Sequence, residues 1–322
     1  MKRFQDMSII SQIKAIVFWL APGPVKAKLI AYNENRKVAY WQECFKTKVS
    51  REEVDALFAM LDLRSDVMVH SSLPDIGDIR LAYVTENLKK YVLDAGHTVL
   101  CPALPVKGSS YDYLSSLKEF DVRTAPNAMG KISRYYGRQS GAKRSLSPTH
   151  SVIAVGKQAG CYTEDHHKSE TPFSEGSPYF KLILNGGMIL MFGAGLSHLT
   201  FGHVLEDMIG EADFPVHVYD PHRFEVDLID EEGIRTKGSF RAHSHKSGRK
   251  RDSSEIMGIV RNLPSSKVMR LGCGEVILLD ARDVILCMLK QLKSGLTTMG
   301  HRRVSEECKR KADHWIGIIK KL

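Results

Sequence analysis

Along this chain, short continuous apolar runs alternate with amphipathic stretches. The runs at 67–70, 98–101, 152–155 and 188–192 predict strands, the last two buried in a sheet. Between them the apolar spacing predicts helices over 52–61, 79–94 and 127–136. Ser50 precedes Arg51-Glu52-Glu53 as a cap for the first helix, and Gly96 lies just past the second as its C-terminal stop. Strand, helix, strand, helix and strand in this order predict an α/β fold: a layered sheet with crossover helices.

Three regions follow from the same pattern. Residues 1–48 form an N-terminal arm, broken by Pro22-Gly23-Pro24 and followed by Tyr40, Trp41 and Phe45. Its apolar and basic mixture suits packing on the main domain, with peripheral contact to a membrane surface as the alternative. Residues 49–295 form the main domain and 296–322 a C-terminal helical tail. The charged, Gly- and Ser-containing stretch 231–254 predicts a long loop near the rim of a site.

At 322 residues and 43% hydrophobic, the chain can bury one large core. No apolar run approaches the roughly 20 residues of a spanning helix, so no transmembrane segment is expected. The N-terminal apolar run 15–20 is too short and interrupted for a signal peptide. Six cysteines without a Cys-x-x-Cys pair point to a reducing cytoplasm.

A net charge of +9 suits an anionic partner, such as a phosphorylated cofactor. The densest basic run, 246–251, has no interleaved aromatics and reads as a solvated loop, not as a nucleic-acid patch. The chain has 13 histidines, but His166-His167 and His243-x-His245 lack zinc-ligand spacing, so no metal is expected.

Three segments carry candidate chemistry. His70-Ser71-Ser72-Leu73 follows an apolar strand with small hydroxyl residues whose donors can meet phosphate, although an ordinary strand-to-helix turn has the same composition. Arg144-Ser145-Leu146-Ser147-Pro148-Thr149-His150-Ser151 sets a histidine behind a rigid proline turn at the mouth of a strand. There it can act as a base or as a structural hydrogen-bonding residue. In 193–206, Thr200, His203 and Glu206 are spaced by three, which aligns them on one helical face. A carboxylate beside an imidazole fixes its tautomer and raises its basicity, although an amphipathic helix with a polar rim gives the same spacing.

Jointly and in this order, the segments resemble the aminoglycoside 3-N-acetyltransferase family, which is distinct from the commoner GNAT acetyltransferases. The resemblance rests on Val69 to Leu73, Phe120-Asp121 with Thr124-Ala125-Pro126, Arg144 to Ser151, and Thr200 to Glu206, and it covers roughly residues 50–290. Pro148-Thr149-His150-Ser151 is its most specific part. Met129-Gly130, Pro172-Phe173 and Ser177-Pro178 add to it. Three departures stand out: the arm has no counterpart in shorter members, Phe201-Gly202 replaces a more usual pair, and Ser147 stands where many members have a histidine.

The resemblance implies direct acetyl transfer from acetyl-CoA to an amine on an α/β fold. Within it, His203 would be the base, supported by Glu206, with Thr200 assisting and His150 the second candidate. Contacts to the cofactor would come from His70, Ser71, Ser72, Leu73, Met129 and Gly130, and from Arg144 and Ser145 beside Lys143. No cysteine occupies a motif position, which disfavours an acyl-cysteine route. The basic balance leaves two kinds of acceptor open: an aminoglycoside or amino sugar, and a nucleotide- or lipid-linked amino sugar. A non-catalytic CoA-binding or nucleic-acid-binding protein is the competing class.

Overall fold

The computed structural model describes residues 22–106, 108–244 and 251–322. Ten strands build its two main sheets: β1 (Val67–Ser71), β2 (Thr98–Pro102), β3 (Glu119–Asp121), β4 (Lys143–Arg144), β5 (Val152–Gly156), β6 (Met188–Phe192), β7 (Tyr219–Ile229), β8 (Arg235–His243), β9 (Lys267–Leu271) and β10 (Gly274–Asp280).

The larger sheet has the order β4-β5-β2-β1-β6-β10-β9. Its centre, β2-β1-β6, is parallel, and the strands outside that centre run antiparallel. Along β1, Met68 enters one apolar cluster while Val67 and Val69 enter another; along β6, Ile189 and Met191 oppose Leu190 and Phe192 in the same way. Both faces are therefore covered, which is why these strands read as unbroken apolar runs. Each such fully buried side chain contributes about 1.5–3 kcal/mol. The α/β expectation holds.

Helix Arg51–Leu61 has the capping box its sequence predicts, with the Ser50 hydroxyl accepting from the Glu53 amide and the Glu53 carboxylate accepting from the Ser50 amide. The second helix runs Leu81–Leu88 and ends in a π turn, Lys89–Leu93. The third is shorter than predicted, Lys131–Tyr136. The Asn127 side chain accepts from the Met129 amide at 3.0 Å and donates to Ser133 Oγ at 2.9 Å, so it builds a local turn that competes with the helix.

The largest correction concerns 231–254. Most of its first half is β8, which pairs antiparallel with β7 in a second sheet of order β3-β7-β8. Gly238, Phe240 and Ala242 are buried while Lys237 is exposed and Ser239 and Arg241 are half-buried, the period-two pattern of a half-buried strand. Its charge and hydroxyl content hid that alternation. Of the basic run 246–251, only Arg251 lies among the described residues.

Within the arm, a helix spans Gly23–Cys44, and its described side chains over 31–40 are exposed. Its end is anchored: Trp41 Nε1 donates to Asp75 at 2.8 Å, and Cys44 is buried. Residues 1–21 lie outside the described part. The tail helix Glu306–Ile319 buries Cys308, Ala312 and Ile319 in the main core. No helix among the described residues is long and apolar enough to cross a membrane.

Candidate active site

Three elements from distant parts of the chain converge on a cleft of about 470 Å³. The turn before β5 brings Thr149 and His150, helix Phe201–Ile209 brings His203, and the end of β8 brings His243. The His203 ring centroid lies 4.4 Å from that of His243 and 6.4 Å from that of His150. Phe173 stacks on His203 at 4.8 Å, and Tyr219 stacks on His243 at 4.8 Å.

Behind His203 lies Glu206, one turn further along the helix and almost fully buried. Its Oε2 is 2.9 Å from His203 Nδ1. Arg251 donates to both carboxylate oxygens, each at 2.9 Å, and Thr298 Oγ1 donates to Oε1 at 2.8 Å. A buried carboxylate is tolerable only when paired and hydrogen-bonded in this way. Although burial pushes its pKa up, His203 and Arg251 together hold the carboxyl down at about 2.

For His203, burial is the largest cause and lowers the pKa, Arg251 lowers it further, and Glu206 pulls the other way. The balance leaves a neutral imidazole at pH 7. Arg251 Nη2 also lies 2.9 Å from Nδ1. Nδ1 therefore faces both an acceptor, Glu206 Oε2, and a donor, Arg251 Nη2; in the tautomer that pairs with the carboxylate, Nδ1–H donates to Glu206. Nε2 then carries the free lone pair. His150 and His243 are held well below the usual histidine range, first by burial and then by the neighbouring His203.

Gly202 makes this geometry possible. A Cβ there would meet Thr298 Cγ2 at 2.7 Å, so only glycine lets the turn carrying Thr298 close on the helix and reach Glu206. The Phe201-Gly202 pair therefore leaves the helix regular and permits the close approach. Thr298 comes from the region read as a separate tail, so that region contributes directly to the cluster.

The sequence-predicted residues divide into three groups. His150, His203 and Glu206 come together in the cleft cluster. Thr200 stands at the helix start, but its hydroxyl has no hydrogen-bond partner; the hydroxyl that meets Glu206 is that of Thr298. Ser71 and Gly130 form a second grouping, since a Cβ at Gly130 would lie 3.5 Å from the Ser71 carbonyl and 3.7 Å from Ser71 Oγ. Met129 precedes that glycine, Ser72 bonds to Asp75, and Leu73 is buried. His70 is buried with its Nε2 unpartnered, and burial followed by His198 pushes its pKa down to about 4.

Arg144 and Ser145, expected to contact the cofactor, make their hydrogen bonds within the chain. The Arg144 guanidinium donates to the carbonyls of Ala103, Ala125 and Pro126 and to Ser151 Oγ, at 2.6–3.0 Å. These bonds use its donors to lock the segment before β5. Ser145 is fully buried, its hydroxyl accepting from the Val152 amide at 2.9 Å and lying 2.7 Å from His166 Nδ1. Lys143 faces Glu231 and Glu232.

His203, Glu206 and His243 each offer a possible metal-ligand atom, all within 4.8 Å of one another. Both Glu206 oxygens already face the Arg251 guanidinium, and a cation placed there would meet that positive charge. The donor set suits an imidazole oriented by a carboxylate better than a metal. Chemically, a neutral imidazole held this way can take a proton from a group entering the cleft.

Comparison with known proteins bears on the same segments. The model of the aminoglycoside 3-N-acetyltransferase family matches residues 68–293. The chain is similar to aminoglycoside N(3)-acetyltransferase III of Serratia marcescens, 29% identical over 154 residues, covering 44% of this chain and 56% of that protein. It spans about half the length of the curated relatives it matches. Among solved structures, the AAC-IIIb binary complex with CoASH shares the fold at 22% identity and TM-score 0.61, covering 76% of this chain and 96% of that one. AAC-VIa bound to sisomicin does so at 21% identity and TM-score 0.61, covering 77% and 98%.

Proposed function

We propose, from the premise that the chain belongs to the aminoglycoside 3-N-acetyltransferase family, that it transfers an acetyl group from acetyl-CoA to an amine of an amino sugar or aminoglycoside. The observation that carries the reading is the His203–Glu206 pair at the cleft, braced by Arg251 and Thr298. A protein that only binds CoA has no need of a neutral imidazole with a buried orienting carboxylate.

The chemistry requires two protons to leave the nitrogen and one displacement at the thioester. His203 Nε2 takes a proton from the acceptor ammonium, and the freed amine attacks the thioester carbonyl. The tetrahedral oxyanion collapses, the C–S bond breaks, and the proton that the attacking nitrogen now sheds passes to the departing thiolate, which leaves as CoA. Glu206 holds the imidazole in its Nδ1–H tautomer and stabilises the imidazolium as it forms. His150, 6.4 Å away between ring centroids, is assigned the role of positioning the acceptor, a choice its place on the same cleft supports.

Acetyl-CoA is proposed to lie along the end of β1, against Ser71, Ser72 and the Met129-Gly130 turn, with His70 and Leu73 beneath. Gly130 packs directly against Ser71, so the turn and the strand end form one continuous surface. A bound CoASH in a fold neighbour supports this choice of acyl carrier.

The direct test mixes the purified chain with acetyl-CoA and follows free-thiol release across a panel of amines. Amine-dependent thiol release is the expected result. Tight CoA binding with no release for any amine would leave a binding protein in place of a catalyst.

A further inference from the structure

We infer that the acceptor is not a polycation: it presents a single amine to the cleft, and the rest of it carries negative charge. This inference rests on the transferase reading above and narrows its acceptor class.

An acceptor whose amine reaches His203 must occupy the cleft of about 470 Å³ that His203 lines. Among the described residues lining that cleft, none carries a carboxylate; three imidazoles, serine, threonine and tyrosine hydroxyls and the Arg251 guanidinium supply its polar surface. Glu206 lies behind His203, buried, with both oxygens committed to Arg251, Thr298 and His203. Asp207, next in the chain, is turned away and accepts from Tyr219 and the Phe173 amide. The sequence also places no Asp or Glu at 107 or in 245–250, the stretches that adjoin Val106, Gly108, Ser244 and Arg251.

A polyamine with several ammonium groups would leave all but the reacting one unpaired in such a cleft. Desolvating an ammonium without a counter-charge is unfavourable. The imidazoles offer no compensation as anions, because burial keeps them neutral. At longer range, the net charge of +9 attracts anions and repels polycations before contact. Both effects favour an amine attached to an anionic group, such as an amino sugar bearing phosphate.

The test is calorimetric titration of the full chain with glucosamine, glucosamine 6-phosphate and sisomicin, with CoA saturating so that the cofactor's own phosphate sites are filled. Glucosamine 6-phosphate should bind at least about tenfold more tightly than glucosamine, the gap narrowing as salt is raised, and sisomicin should bind most weakly. Ser110→Asp, which puts a carboxylate on the cleft wall at the first residue of a helix, where acids are tolerated, should raise sisomicin affinity about tenfold.

Tightest binding of sisomicin to the unmodified protein would overturn the inference, as would loss of the phosphate preference when CoA is present, which would assign the anion to the cofactor's site. Thiol release separates the two levels. Turnover with sisomicin above the phosphorylated amine keeps the transferase and sinks this inference, whereas anion-selective binding without turnover does the reverse.

Discussion

His166 is a brace for the site, and acid should release it. Its ring is buried between Ser145 Oγ, 2.7 Å from Nδ1, and the Pro172 carbonyl, 2.8 Å from Nε2. The carbonyl can only accept, so Nε2 carries the proton and Nδ1 accepts from the serine hydroxyl. Protonating Nδ1 would break that bond and place a charge in the core, and burial accordingly pushes the pKa down to about 4 from an ordinary 6.5. The folded value is depressed, so the group's contribution is fully present above the unfolded value, begins to fall below about pH 6.5, and is lost as pH drops through about 4. The full difference is about 3 kcal/mol, of which about 2 kcal/mol falls between pH 7 and pH 5.

Urea unfolding at pH 7 and pH 5 measures this directly. His166→Gln should cost about 2 kcal/mol at pH 7, from imperfectly replaced buried hydrogen bonds, and should remove about 2 kcal/mol from the loss between the two pH values. His70, with its pKa also near 4, supplies a separate and similar slope that the variant retains. Equal losses in wild type and variant between pH 7 and pH 5 would refute the reasoning.

Other consequences can be checked in the same preparations. Gly202→Ala drives a methyl into Thr298, so it should lower thiol-release turnover about tenfold and reduce melting temperature, while Thr298→Ser on the native background keeps both near normal. Arg251→Met leaves the Glu206 carboxylate with a positive partner only if His203 takes up a proton, so the acid limb of the rate profile should move to higher pH. A stability cost of about 3 kcal/mol, read by urea unfolding, should accompany it. Ser71→Ala with Ser72→Ala should weaken CoA binding in calorimetry more than acceptor binding; unchanged CoA affinity would count against that placement.

What the sequence made legible has a physical pattern. Strands such as β6 could be read because burial on both faces leaves an unbroken apolar run. Helix Phe201–Ile209 supplied His203 and Glu206 together because three-residue spacing is a local rule, unaffected by the rest of the fold. His243, Arg251 and Thr298 joined the same cluster without any local signal. His243 ends a strand hidden by its charged neighbours, Arg251 closes a run that reads as solvated, and Thr298 arrives from 92 positions away. Thr200 had the right spacing, but its buried hydroxyl meets no hydrogen-bond partner. Arg144 had the right charge, yet its meaning depends on three carbonyls converging on it, which only the folded chain determines.

The central claim is that His203, oriented by Glu206, is the base. A single-turnover assay of His203→Ala and His150→Ala from about pH 6 to 9 tests it most directly, following acetyl transfer to an amine accepted by the wild type. The account predicts that His203→Ala lowers turnover by about 10²–10⁴-fold with CoA affinity little changed, and that His150→Ala costs less. It also predicts that the wild-type acid limb lies below the ordinary histidine value of about 6.5, because burial and Arg251 keep His203 unprotonated. Near-normal turnover in His203→Ala, or a more severe loss in His150→Ala, would contradict it.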